Sequence, residues 1–365
     1  MMLGGLALLA AVLAVKFLVI NRPAAQTPAD CGYLAKPTAI ALPAELAKVD
    51  RLKYSRRYAR LFLLAGQTDG QWAVWSFAAG QWQRRLAIKG SDYKTAQARL
   101  HLDSQDNLYV EVSQPHGFYR SADGGQTWQT ISHGDDGLLW ALADNGRGEL
   151  YATAWSLNRP LLYKSADQGL TWQTWLDFNK FLPGEDKRSD QTYPYNNLRH
   201  LHDVAAYQDK ILVGTGDLAR WTLMSADHGR SWRKVWNEGF TAHTFVKDTG
   251  QIILGGDRAD RYGLALYDFG AAADATSTWD QSQVGWSSYI YSLIFQDGRY
   301  YAGVHNENGN RLKYGVLVSC DGRRWSPLLT YEPAADRDTA VFLAESDLNG
   351  FFLSLNGALS FVSRP

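Results

Sequence analysis

Along most of this chain apolar and polar positions alternate in short runs that break at Asp, Asn and Gly. This is the period-two pattern of strands joined by tight turns. Seven hairpin units follow from it, over residues 60–76, 99–113, 140–155, 202–216, 243–256, 291–304 and 341–355. The second to the sixth are each followed by a third strand and a fourth led by tryptophan. Those tryptophans are Trp128, Trp172, Trp232, Trp279 and Trp325, at spacings of 44, 60, 47 and 46 residues. Four-stranded units recurring about every 45 residues predict an all-β chain folded as a β-propeller. Seven blades are expected; six result if the degenerate first unit (60–89) shares a blade with the last. The last unit offers only three strands before Pro365, so a segment within 37–58 is expected to supply its outer strand and leave no open sheet edge. The boundaries read from this pattern are an N-terminal segment 1–21, a linker 22–58 carrying that closing strand, and a propeller 59–365.

Superimposed on the hairpins is a recurring stretch. Tyr119–Trp128 reads YRSADGGQTW and returns as YKSADQGLTW at 163–172, LMSADHGRSW at 223–232 and, one residue shorter, LVSCDGRRW at 317–325. The serine should end a strand and the aspartate should accept backbone N–H groups across the turn. The glycine should supply a positive φ, and the tryptophan should plug the return strand. This stretch resembles the Asp-box (bacterial neuraminidase) repeat, which implies a place on the outer hairpin of propeller blades. Asp123, Asp167, Asp227 and Asp321 are therefore read as structural turn acceptors.

Three further features change the picture. Residues 2–20 form an apolar run broken only by Lys16, about 28 Å long as a helix at roughly 1.5 Å per residue. A retained signal anchor is favoured over a cleaved signal peptide. The later charges Lys16, Arg22 and Lys36 would by themselves hold the rest of the chain cytoplasmic. The Asp-box resemblance implies the opposite, a membrane-tethered, extracytoplasmic propeller. Charge balances at 37 basic and 37 acidic residues, which leaves no excess to neutralise phosphates and argues against a nucleic-acid partner. The two cysteines, Cys31 and Cys320, form no disulfide framework, and a buried-filler role for Cys320 is preferred over their pairing.

Candidate chemistry gathers where the innermost strands begin. Alignment of the hairpins puts Trp140, His202, His243 and Tyr291 at one equivalent position, facing a central channel. The loops after the second strands open on the same face and bring Gln114–His116, Trp155, Arg159, Asp217, Arg220, Asp257, Arg258, His305 and Glu307. Such a mixture suits an uncharged polar or anionic ligand, a glycan or a protein segment. Ligand-binding candidates are thus Trp140, Trp155, Arg159, His202, Arg220, His243, Arg258, Tyr291 and His305. A metal site from His200, His202, His243 and His305 is weighed and set aside, and no metal or cofactor is expected. The superfamily resemblance also implies a glycoside hydrolase as an alternative, with Asp217, Asp257 and Glu307 as the carboxylates. No Arg-Ile-Pro motif precedes the first blade, and YIYS at 289–292 only faintly echoes a sialidase nucleophile region. Seven-bladed Asp-box propellers also include a family resembling the photosystem II assembly and stability factor, which implies a role in binding protein partners.

Overall fold

The alternating runs fold into a ring of seven four-stranded antiparallel sheets in the computed structural model. It describes residues 37–134, 137–155, 159–181, 198–216, 220–246, 249–257, 262–270, 274–280, 285–287, 289–307, 312–332 and 339–363. The innermost strands of blades one to seven are Leu46–Ser55, Ala98–Leu102, Leu138–Asp144, Leu201–Tyr207, Phe240–Val246, Tyr289–Gln296 and Val341–Ala344. Pro37–Ala39 pairs with Ala358–Ser363 as the outer strand of blade seven and closes the ring. Seven blades and closure by an early segment therefore hold.

One boundary moves. Leu46–Ser55, read from the sequence as linker, is the channel-facing strand of blade one, and Arg60–Gln67 is the second strand, not the first. The propeller thus starts at Pro37. Its first strand escapes the alternation rule because Lys48, Asp50, Arg51 and Lys53 interrupt its apolar positions. The apolar run 2–20 and most of the insertion 179–197 lie outside the described residues. Among the described residues no helix is long and apolar enough to cross a membrane.

The core is not one mass but seven clusters, one at each blade junction. Phe62, Leu64 and Val74 of blade one, for example, pack against Leu100, Val110 and Val112 of blade two. Phe342, Leu343 and their neighbours on blade seven meet blades six and one in the same manner. Blades meet chiefly through these flat faces, which bury apolar area between neighbours.

The Asp boxes fasten those faces from outside. Ser165 ends its strand and accepts the Gly169 N–H at 2.8 Å, while Asp167 accepts the Thr171 N–H at 2.9 Å and its hydroxyl at 2.6 Å. Asp123 and Asp227 repeat the pattern with Thr127 and Ser231, and Asp321 does so with the Arg323 and Arg324 N–H groups. Each box then leans on the preceding blade. Gly169, at φ +79°, lies so close to Tyr109 that a Cβ there would stand 2.5 Å from its ring, and the Trp128 indole donates to the Arg85 carbonyl at 3.0 Å. The glycine serves two needs at once, a left-handed turn and a close approach. Cys320, at the free position of the fourth box, is exposed and disulfide-bonded, which overturns the buried-filler reading. The chain's only other cysteine, Cys31, lies outside the described residues.

Candidate ligand site in the channel mouth

The seven innermost strands surround a cavity of about 370 Å³. β-Bulges aim side chains into it. In blades three, four and six the ladder skips Trp140, His202 and Tyr291, so these residues turn out of the sheet toward the axis. In blade five the skipped residue is Thr241, and His243 lies two positions further along the strand. His243 still lines the cavity, one step deeper than the sequence alignment put it.

The cavity wall divides by charge. Blades one and two contribute Arg51, Lys53 and Arg99. The Arg99 guanidinium lies 3.5 Å over the Trp140 ring and donates to its neighbour Ala98's carbonyl at 2.8 Å; Arg51 lies 4.2 Å over Phe342. Burial, then repulsion from Arg51, drives the Arg99 pKa well below the usual guanidinium value. Burial also lowers Lys53, against the pull of Asp203 and with the push of Arg51. Water reaches Lys53, whose side chain is exposed to the cavity, yet protein encloses it on all sides. Beside it His101 is held neutral, with its pKa lowered to about 3 by burial and by Lys53.

Blades four to six supply the opposite character. His243 Nδ1 lies 2.8 Å from Asp203 Oδ2. His202 Nδ1 stands 2.9 Å from Asp257 Oδ2, near enough to pair though off the hydrogen-bonding line, and its Nε2 meets His200 Nε2 at 2.7 Å. The Tyr291 hydroxyl approaches Asp257 Oδ1 at 3.5 Å, and Glu307 also bonds it. Burial first, then the charges of Asp257 and Glu307, raise the Tyr291 pKa well above its ordinary value. A nucleophilic phenol needs the reverse, a neighbour that favours the phenolate.

The residues singled out in the sequence separate into three groups. Trp140, His202, His243 and Tyr291 line the cavity, with Asp257 and Glu307 at the edge of that cluster. Trp155 stands behind Trp140 and His200, with ring centroids at 5.7 and 5.9 Å. Arg159 is exposed and Arg220 half-buried, and neither lines the cavity. His305 is buried and donates from Nε2 to the Val341 carbonyl at 2.7 Å, joining blades six and seven; burial lowers its pKa to about 3. Asp217 and Arg258 lie outside the described residues. Sequence reasoning missed Arg51, Lys53, Arg99 and His101, and placed Asp203 only near the mouth face, whereas it lines the cavity. Arg99 opens its hairpin as Trp140 does, so extending the blade alignment one unit back would have found it; blade one was hidden by its misread inner strand.

The comparisons agree with this architecture. A family model described as the BNR/Asp-box repeat matches residues 119–130. No curated protein matches the chain. Solved structures similar to it include a chain of the mitotic checkpoint complex, 13% identical, with a TM-score of 0.62 and coverage of 98% of this chain and 99% of that one. YCF48 bound to a D1 peptide is 13% identical, with a TM-score of 0.58 and coverage of 93% and 99%. The extracellular domain of a putative one-component system from B. thetaiotaomicron is 14% identical, with a TM-score of 0.58 and coverage of 91% and 40%. At such identities the likeness is one of fold.

Proposed function

We propose that this chain, an Asp-box repeat β-propeller protein, is a membrane-tethered, extracytoplasmic binding module that takes a protein segment or a glycan into its channel mouth. The observation that carries the reading is the make-up of the cavity. Aromatic faces at Trp140 and Tyr291 alternate with charged groups, and the carboxylates Asp203 and Asp257 are already engaged by histidines. Such a lining recognises polar ligands, with both carboxylates held by histidines rather than left free for acid–base work. YCF48, a structure of the same fold, is seen with a peptide bound, which supports a polypeptide as the occupant. The disulfide at Cys320 favours an oxidising compartment, and the apolar run 2–20 favours a tether.

The second reading, a glycoside hydrolase, draws support from Asp257 and Glu307 both reaching the Tyr291 hydroxyl. One experiment separates the two. Peptide and glycan arrays are probed with the native chain and with Trp140→Ala, and each array hit is assayed for turnover. Binding without turnover, weakened about tenfold or more in the variant, is expected, since a stacked aromatic contributes on that order. Hydrolysis of a glycan would establish the second reading, and unchanged affinity in a folded Trp140→Ala protein would remove the channel as the site.

A further inference from the structure

Outside the channel cavity, a second cluster sits at the junction of blades two and three. Glu111 lies within the second strand of blade two (Leu108–Ser113), His116 begins the third (His116–Ser121), and His133 follows the fourth (Gln129–Ile131). His116 Nε2 and His133 Nε2 each lie 2.8 Å from the same carboxylate oxygen, Glu111 Oε1. One donor atom from each of the three residues falls within 4.8 Å of the others. The Glu111 side chain is 1% exposed and that of His133 0%, whereas His116 is 34% exposed. The cluster is thus built into the core, with a single opening to solvent past His116.

We propose that Glu111, His116 and His133 form a binding site for a divalent transition-metal ion of the zinc type. Two imidazoles and one carboxylate are a donor set that such ions take, with solvent completing the shell. The donors now stand at hydrogen-bonding distance, and ligation at about 2.0–2.2 Å from a shared ion requires them to spread by only about half an ångström. The outer shell is half prepared. Glu111 Oε2 accepts the Leu139 N–H at 2.7 Å, which fixes the carboxylate and ties it to the innermost strand of blade three. On His133 the other ring nitrogen, Nδ1, is buried and has no hydrogen-bond partner among the described residues. An anchored imidazole improves metal affinity about 10- to 100-fold, so this site is weaker by that factor than one with both histidines anchored. Bound metal would lock the His116 turn at the channel-mouth face against blade three.

The test uses the full chain, freed of metal by chelation and without a histidine tag. Zn²⁺ and Co²⁺ are titrated calorimetrically and by the visible absorption of Co²⁺. One equivalent should bind, with a rise in thermal midpoint. Exposed His116 tolerates replacement, so His116→Gln should weaken binding at least about tenfold while folding normally. His228→Gln, at an exposed surface histidine elsewhere, should leave binding unchanged. The proposal is overturned if the native chain binds neither ion at about 100 μM, or if His116→Gln binds as tightly as the native chain; either result leaves the cluster a hydrogen-bonded knot.

Discussion

The outer hairpins and the inner strands use the same antiparallel backbone, yet their sequences behave in opposite ways. At the periphery Ser, Asp, Gly and Trp recur in four blades because each junction poses the same problem: a turn to satisfy and a neighbour to meet. Around the channel each blade offers something different, with Arg99, Trp140, His202, Thr241 and Tyr291 on successive blades from the second to the sixth. In a ring built by repetition, sameness marks what the scaffold needs. Difference marks where a ligand would be told apart from its competitors.

Acid distinguishes the two regions most strongly. His101, on the inner strand of blade two, and His305, bonded to the inner strand of blade seven, have folded pKa values depressed to about 3, whereas unfolded histidine titrates near 6.5. The unfolded chain therefore binds more protons between those limits, so this stability is complete above about pH 6.5 and is lost as pH falls toward 3. At pH 5 each histidine should have lost roughly 2 kcal/mol, about 4 for the pair. The box carboxylates are lowered instead, with Asp227 brought to about 2 by hydrogen bonds from Ser231 and the turn. Their contribution, present above the unfolded value near 3.8, fades only as pH drops through the folded one. Urea unfolding at pH 7 and 5 should register the histidine loss, and His305→Gln should remove about half of it. A curve flat over that range would mean that the inner histidines are free to charge.

Next in size is a break at the periphery. Gly169→Ala forces a Cβ into a left-handed turn and onto the Tyr109 ring, which is fully buried. The two penalties together should cost about 3 kcal/mol. Because the contact lies between blades two and three, far from the cavity lining, ligand affinity measured on the folded fraction should stay the same. Loss of affinity without loss of stability would contradict the division of labour.

What the sequence made legible follows the same division. The seven hairpin units gave the blade count, the four Asp boxes marked which strand ends face the channel, and the three-stranded last unit pointed to closure by the N-terminal side. The inner strand of blade one stayed hidden for a physical reason. Strand alternation is read against a dry face and a wet face, but LAKVDRLKYS carries Arg51 and Lys53 on the face that lines the central cavity. Its Lys and Arg residues made it look like a tether. His305 went the other way. The hairpin pattern put it in a mouth-face loop, yet it ends the second strand of blade six and its ring turns inward to the Val341 carbonyl, and nothing in its neighbours' sequence tells those two outcomes apart. His243 was misplaced by two residues because a bulge cannot be counted from hydrophobic period alone.

The smallest stability effect falls at Lys53, where the comparison is sharpest. Among the described residues this ammonium group has no hydrogen-bond or ion-pair partner, and Arg51 pushes on it from the same strand. A scaffold gains little from a cation so placed, since enclosure removes much of its hydration and the more distant charges of Asp203 and Glu345 offset only part of the loss. Lys53→Met keeps the apolar stem and deletes the charge, so unfolding free energy should change by no more than about 0.5 kcal/mol, or rise. The His101 pKa should move up in the variant, because Lys53 is one of the charges depressing it, and proton NMR of the imidazole would register that shift. An array ligand that uses the basic wall should at the same time lose affinity. A variant destabilised by 2 kcal/mol or more would instead make Lys53 a structural group, and the channel would then be no freer of scaffold duty than the Asp boxes at the blade periphery.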